Sequence, residues 1–447
     1  MPSPENGGPC DPEAAAPFDW TKFRLGGQFR IEANTNNFGY HPAVITDDQH
    51  NQSFVNQRYR LWLTYTPTEH VEGYIQMQVG GINWGNNFDF DHNFNGTFSP
   101  IVGDRVGIEL RRAWLAYRDE ICGKVRAGFL DWHDSFGDTI ASSDYDFNAG
   151  GIEWTNTLPG WNDTKLKAAI LQLTDRAFVG TGEGLPGPRS AYLFAFDADQ
   201  SPMEKASIGA SAYYLNDRGG YSYPTVPNYT LAWDFWFGVR GKIDFEMAPL
   251  SGFVIVNTGE RHDIGSNFHH TGWAGQAQLG PLPFWIGNFF TQLVYASGDS
   301  NPGVGTSSEF RTVAQTARDN FGAQGYWSYL HITSPNGPND VADLGVGLQD
   351  RGFGLVTVQA KYEVPLTKCF KSTTAVAYLR SDRPNNVGNS SYLGTELGEL
   401  FTLNLGGGLS LDFGAAVLFT GDFYRVSATG PKPDNLYEGF ARLQLEF

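Results

Sequence analysis

LYEGFARLQLEF, residues 436–447, are the last twelve residues of the chain, and they alternate without a break. Successive side chains of a β-strand point to opposite faces. Read as a strand, the segment puts Tyr437, Gly439, Ala441, Leu443, Leu445 and Phe447 on an apolar face and Glu438, Phe440, Arg442, Gln444 and Glu446 on a mostly polar one. One such strand fits a soluble sandwich as well as a membrane wall. The fold depends on whether the whole chain repeats the pattern.

It does. FRLGGQFRIEAN (23–34) sets Phe23, Leu25, Phe29 and Ile31 against Arg24, Gln28, Arg30 and Glu32. QRYRLWLTYT (57–66) sets Tyr59, Leu61 and Leu63 against Arg58 and Arg60, and VEGYIQMQV (71–79) sets Val71, Ile75 and Met77 against Glu72, Gln76 and Gln78. WDFWFGVRGKID (233–244) and LVTVQAKYE (355–363) repeat the period with Asp234, Arg240, Lys242 and Asp244, and with Lys361 and Glu363, on their polar faces. ELRRAWLAY (109–117) carries adjacent Arg111 and Arg112, so one arginine breaks the alternation, through a bulge or by snorkelling to an interface.

Composition narrows the classes. Gly is 54 of 447 residues and aromatics are 15%. No apolar run reaches the ~18 residues of a membrane-spanning helix. A mean hydropathy of -0.33 suits a soluble protein, and equally a membrane barrel with a polar lumen and polar loops. The formal charge of -17 argues against nucleic acid as a partner. Three cysteines, Cys10, Cys122 and Cys369, are too few for a disulfide scaffold. Residues 1–22 lack the basic and apolar regions of a signal peptide, so an exported chain has lost its signal, and we expect this segment to lie in the periplasm.

Connection lengths favour the membrane. Short turns near Thr68, Glu120, Gln200, Ala248, Pro281, Thr367 and Gly407 alternate with longer polar connections at 37–56, 84–106, 132–146, 175–188, 216–227, 259–268, 298–350, 382–393 and 425–434. That alternation belongs to an up-and-down transmembrane β-barrel whose short turns face the periplasm and whose long loops face outward. The expectation is an all-β, antiparallel barrel of about 18 strands over 23–447, in the outer membrane of a Gram-negative bacterium and in contact with its lipid. Tyr65, Tyr117, Trp154, Tyr362 and Phe447 fall near the short turns, and Tyr214, Tyr295, Tyr378 and Tyr437 near the long loops, as two interfacial belts require. A terminal strand ending on Phe447 also suits recognition by the barrel assembly machinery.

The stretches TQLVYASGDSNPG (291–303), RRAWLAYRDEICGKVRAGFLDW (111–132) and FRLGGQFRIE (23–32) give the chain a resemblance to the alginate-export family of outer-membrane porins. The resemblance implies an eighteen-stranded barrel with a positively lined lumen that passes an anionic polysaccharide.

By pattern, the pore-lining basic positions are Arg24, Arg30, Arg58, Arg60, Lys124, Arg126, Lys165, Lys167, Arg240, Lys242, Lys361 and Arg442. The acidic ones are Glu32, Glu72, Asp234, Asp244, Glu363, Glu438 and Glu446. Rings of Lys and Arg favour anions, so the expected function is passive passage of small or anionic hydrophilic solutes. The structural alternative is a charge-paired wall, and the functional one a conduit barrel enclosing a partner protein. DFDHNFNG (89–96) spaces Asp91, Asn93 and Asn95 like the start of a calcium loop, yet Val102 stands where the bidentate Glu belongs. No cofactor is expected, with calcium the one candidate. DWHD (131–134) and RHDIG (261–265) place His133 and His262 beside carboxylates in outward loops, which keeps an outer-membrane hydrolase as a third reading, although no nucleophile pairs with them in sequence. Segment 298–350 exceeds an ordinary loop and is a candidate constriction or lid.

Overall fold

The computed structural model describes residues 19–38, 51–84, 108–141, 149–160, 163–175, 190–218, 229–263, 266–302, 305–313, 329–334, 338, 346–348, 352–385, 387, 389–425, 430 and 433–447. Their strands are β1 (Phe23–Asn36), β2 (Gln52–Tyr65), β3 (Val71–Asn83), β4 (Ile108–Asp119), β5 (Gly123–Leu130), β6 (Ala149–Leu158), β7 (Thr164–Asp175), β8 (Ser190–Met203), β9 (Ala206–Asp217) and β10 (Tyr229–Asp244). They continue as β11 (Pro249–Asp263), β12 (Ser266–Phe284), β13 (Gly287–Ala296), β14 (Thr306–Ser307), β15 (Leu355–Pro365), β16 (Phe370–Asn385), β17 (Ser390–Gly406), β18 (Leu409–Thr420) and β19 (Leu436–Glu446).

All except the two-residue β14 pair antiparallel with both neighbours in one sheet, and β1 joins β19 from Gln28 opposite Glu446 to Asn36 opposite Glu438. Eighteen strands therefore close into a barrel. Closure satisfies every ladder and leaves no edge, which is what a β-structure needs in lipid. Phe447 is held at the seam: its N–H donates to Gly27 O at 3.1 Å and its carbonyl accepts from Gly27 N–H at 2.9 Å.

The alternation becomes an inside and an outside. Leu25, Leu61, Leu115, Ile152, Phe237, Val254, Leu293, Val358 and Leu397 are exposed on the outer face, while Arg30, Glu32, Gln78, Asp197, Asp234 and Glu396 are buried on the inner one. Outward rings pair into two belts. Phe23–Tyr65 and Phe370–Phe401–Phe413 stack toward the short turns, and Trp273–Tyr295 and Tyr378–Tyr392 stack toward the long connections. The main apolar core lies within the barrel, built from Leu130, Trp132, Phe136, Ile140, Tyr213, Trp236, Phe310, Val313 and Leu330.

Two expected loops are mostly strand. Within 259–268 only 264–265 separate β11 from β12, and within 382–393 only 386–389 separate β16 from β17. The ladders rise beyond the apolar band, where outward side chains turn polar (Glu260, His262, His269, Arg380), and polarity alone resembles a loop. Cys122 and Cys369 sit in short turns as exposed free thiols, and Cys10 lies outside the described residues. An unheated detergent sample is expected to migrate anomalously on a denaturing gel and to show a sheet-dominated circular dichroism spectrum. A helical spectrum would contradict the fold.

Candidate functional site

The Arg111–Arg112 doublet resolves as a β-bulge. Gln76 pairs with Arg112 while Met77 pairs with Leu110, which leaves Arg111 as the extra residue in β4. A bulge sets two residues against one, and here both arginines turn inward. Arg111 Nη1 donates to Gln78 Oε1 at 3.0 Å, and Arg60 Nε donates to the same oxygen at 2.7 Å. Arg58 Nη2 donates to Gln28 Oε1 at 3.2 Å and pairs in register with Arg30. The inner faces of β1–β4 thus carry seven arginines (Arg24, Arg30, Arg58, Arg60, Arg111, Arg112, Arg118) against three glutamates (Glu32, Glu72, Glu109). Arg111 and Arg112 were missing from the pattern-based lumen set, although the broken alternation was their signal.

The wall a third of a turn away is different. On β7–β10 the inward Lys165, Lys167, Arg240 and Lys242 face Asp197, Asp199, Asp217, Asp234 and Asp244. Lys167 Nζ lies 3.2 Å from Asp197, Arg240 Nη2 lies 2.6 Å from Asp199, and Lys242 Nζ lies 3.0 Å from Asp244. Elsewhere Lys124 pairs with Glu72 at 3.7 Å, Arg126 with Asp131 at 2.5 Å and Glu153 at 2.8 Å, Lys361 with Glu363 at 2.8 Å, and Arg442 with Asp412 at 2.9 Å. The expected basic positions thus divide. Seven meet carboxylates in the pairs just given, Arg30, Arg58 and Arg60 gather with their own polar contacts on the β1–β4 wall beside Arg111 and Arg112, and Arg24 and Lys165 are exposed toward the short-turn end.

Two connections fold into the lumen. In 131–141, Trp132, Phe136 and Ile140 are buried and Tyr213 of β9 meets Trp132 edge-on at 5.6 Å. The Asp134 carboxylate accepts from the amides of Phe136, Ile140 and Ala141 at 2.6, 2.6 and 2.8 Å, and burial pushes its pKa up to about 6. His133 Nδ1 lies 2.7 Å from Asp138 and its carbonyl accepts from Lys167 at 2.8 Å, so the DWHD stretch holds this inserted turn rather than lying in an outward loop. Asp134→Ala leaves three buried amides unpaired, at about 1–3 kcal/mol each. It is expected to loosen the turn and raise conductance with the barrel intact.

The described parts of the long connection after β13 are the second insertion. Its base at 297–302 leaves the strand and turns, with Asp299 accepting from the amides of Asn301 and Ser308 at 2.7 and 2.9 Å. Further on, Trp236 Nε1 donates to Arg311 O at 2.7 Å, and Val313 N–H reaches Ile140 O at 3.1 Å, which joins the two insertions. The next piece crosses to β15–β19. Lys361 lies between the rings of Phe290 and Tyr329 (4.3 and 4.5 Å), and the buried Glu396 carboxylate accepts from the amides of His331, Ile332 and Thr333 at 2.7, 2.9 and 3.0 Å. Arg442 Nη1 donates to Pro338 O at 2.7 Å. The segment folds inward. Nothing in the sequence linked Glu396 to residues some sixty positions earlier.

His262 lies in β11, not in a loop; its Nε2 and that of His269 each lie 3.4 Å from Glu260 on the outer face. Asp91, Asn93 and Asn95 lie outside the described residues. Among the described residues no three His, Cys, Asp or Glu side chains gather as a metal-holding group.

No family model and no curated protein matches the sequence. Solved structures match over nearly the whole chain. Pseudomonas aeruginosa OccK2 (OpdF) in complex with glucuronate is 10% identical, covering 96% of this chain and 98% of that chain with a TM-score of 0.54. Pseudomonas aeruginosa OpdK with vanillate is 12% identical over 96% and 99%, with a TM-score of 0.53. A BenF-like porin from Pseudomonas fluorescens Pf-5 is 9% identical over 95% and 98%, with a TM-score of 0.51. The fold is that of a bacterial outer-membrane porin. A barrel of this kind resides in the bacterial outer membrane.

Proposed function

We propose that the chain is a non-enzymatic outer-membrane channel for small anionic hydrophilic solutes. The observation that carries this reading is the charge of the β1–β4 inner wall, seven arginines against three glutamates, beside a β7–β10 wall on which four basic residues meet five aspartates. In the eighteen-membered ring these two walls lie about a third of a turn apart, so charge is uneven around the lumen and anions gather along the β1–β4 side. The pattern-based lumen residues take two roles. Arg24, Arg30, Arg58 and Arg60, with Arg111, Arg112 and Arg118, attract the solute, while the ion-paired residues keep the rest of the wall hydrated and hold the insertions.

The inward connections favour small solutes over a polymer. That narrows the alginate-export resemblance to its chemistry, a carboxylate-bearing sugar or organic acid, and glucuronate and vanillate, which accompany two of the similar structures, are both carboxylates. The same insertions argue against a conduit enclosing a partner protein, because this chain fills that space itself. The test is single-channel recording in a planar bilayer with glucuronate added to one side. Concentration-dependent blockade of the current is expected, and a current indifferent to glucuronate but blocked by a cationic sugar would overturn the reading.

A further inference from the structure

Between the two aromatic belts, the outward faces of the described strands carry one acidic or basic side chain, Glu399 of β17. The parity of the strand puts it outside. Its neighbours Leu397 and Val376 are exposed to lipid at 46% and 41%, whereas Glu396, three residues away, faces the lumen and is buried. Two hydroxyls from β16 hold the carboxylate, Ser372 Oγ on Oε1 and Thr374 Oγ1 on Oε2, each at 2.5 Å. Two neutral hydroxyls orient the carboxylate but leave its charge uncompensated at the membrane face, which points to a cationic partner. We infer that Ser372, Thr374 and Glu399 form an external site for the headgroup of a phospholipid ending in a primary ammonium.

Depth and surroundings fit that occupant. Glu399 lies two residues along β17 from Phe401 of the periplasmic belt, or ~5 Å into the hydrocarbon at a strand tilt of about 40°. An ammonium in the periplasmic leaflet can reach that depth. Across the ladder from Glu399 lie Ala415 and then Gly439, small residues that leave a shallow lane for an acyl chain. A second copy of the barrel is a poorer occupant. Between the belts the described outward faces offer no basic side chain to meet Glu399, and a two-fold contact would oppose two carboxylates.

The test uses the full chain in detergent with phosphatidylethanolamine, phosphatidylcholine or phosphatidylglycerol of identical acyl chains, and counts retained lipids by native mass spectrometry. Wild type is expected to retain one more phosphatidylethanolamine than Glu399→Gln, with affinity about fivefold higher, the size of a charge-assisted hydrogen bond at a half-exposed site. The other two lipids should show no such difference. Anomalous gel migration confirms that the variant folds, and the Ser372→Ala/Thr374→Ala double variant, which keeps the charge but frees the carboxylate, should lose part of the preference. Equal retention by wild type and Glu399→Gln would overturn the site, as would a wild-type oligomer that Glu399→Gln abolishes.

Discussion

Glu396→Ala is expected to free the 329–334 piece from the barrel wall and to raise single-channel conductance severalfold with flickering openings. The buried carboxylate accepts three backbone amides and the Thr333 hydroxyl, two bonds on each oxygen. Removing it leaves those donors buried and unpaired, at about 3–5 kcal/mol. Unlike a core deletion, the loss falls on an insertion and spares the ladders β16–β17 and β17–β18. Glu396→Gln keeps one acceptor oxygen and should fall between alanine and wild type. A conductance unchanged in Glu396→Ala would mean that the insertion does not narrow the path.

The same seat depends on pH. Burial, and next the Arg442 guanidinium, hold the His331 imidazole down at about 4. Its ring packs within 3.0 Å of where a Cβ on Gly398 would stand and 2.9 Å from one on Gly414, so neither glycine leaves room for a larger residue. The seated form binds fewer protons than a released, solvated form. The seat therefore weakens as pH falls from about 6.5 toward about 4 and changes no further below that. Openings should lengthen over that window and lose the dependence in His331→Gln. Asp134, whose pKa is raised, acts with the opposite sign on the other insertion, so the variant rather than the wild-type profile isolates His331.

The second large effect is expected from neutralising the arginine wall. Replacing Arg58, Arg60 and Arg112 with Gln leaves four arginines against three glutamates on β1–β4, so the net charge of that wall falls from +4 to +1. Charges within a Debye length of a permeating ion, about 8 Å at physiological salt, set its preference, and acidic residues beyond that distance do not. The preference for anions should fall by about threefold to tenfold, or on the order of 1 kcal/mol of lost attraction. Folding should survive because lumen substitutions tune selectivity. Arg240→Gln and Lys242→Gln are weaker tests, since on their wall aspartates already outnumber basic residues and the substitutions unpair Asp199 and Asp244.

Much of the wall was legible because a strand obeys a period of two, and lipid outside with water inside enforces that period on every strand. Parity put Arg30, Arg58, Arg240 and Arg442 on the inner face without any coordinates. It failed where the ladder slips a residue, at Arg111, and where a strand outgrows the membrane, at Glu260 and His262, because the outer face then meets water and loses its apolar mark. The insertions were not legible. Their seats join Asp134 to amides just along the chain, but Glu396 to His331 and Trp236 to Arg311 across the lumen, and no local period encodes such contacts.

The central claim is that solutes pass along a basic wall in a chain whose net charge is -17. The most direct test is the zero-current potential of wild-type channels in a potassium chloride gradient across a planar bilayer. The expected potential has the sign of a channel more permeant to chloride than to potassium, with the preference weakening as both solutions are raised in salt. A potential showing potassium as the favoured ion would contradict it.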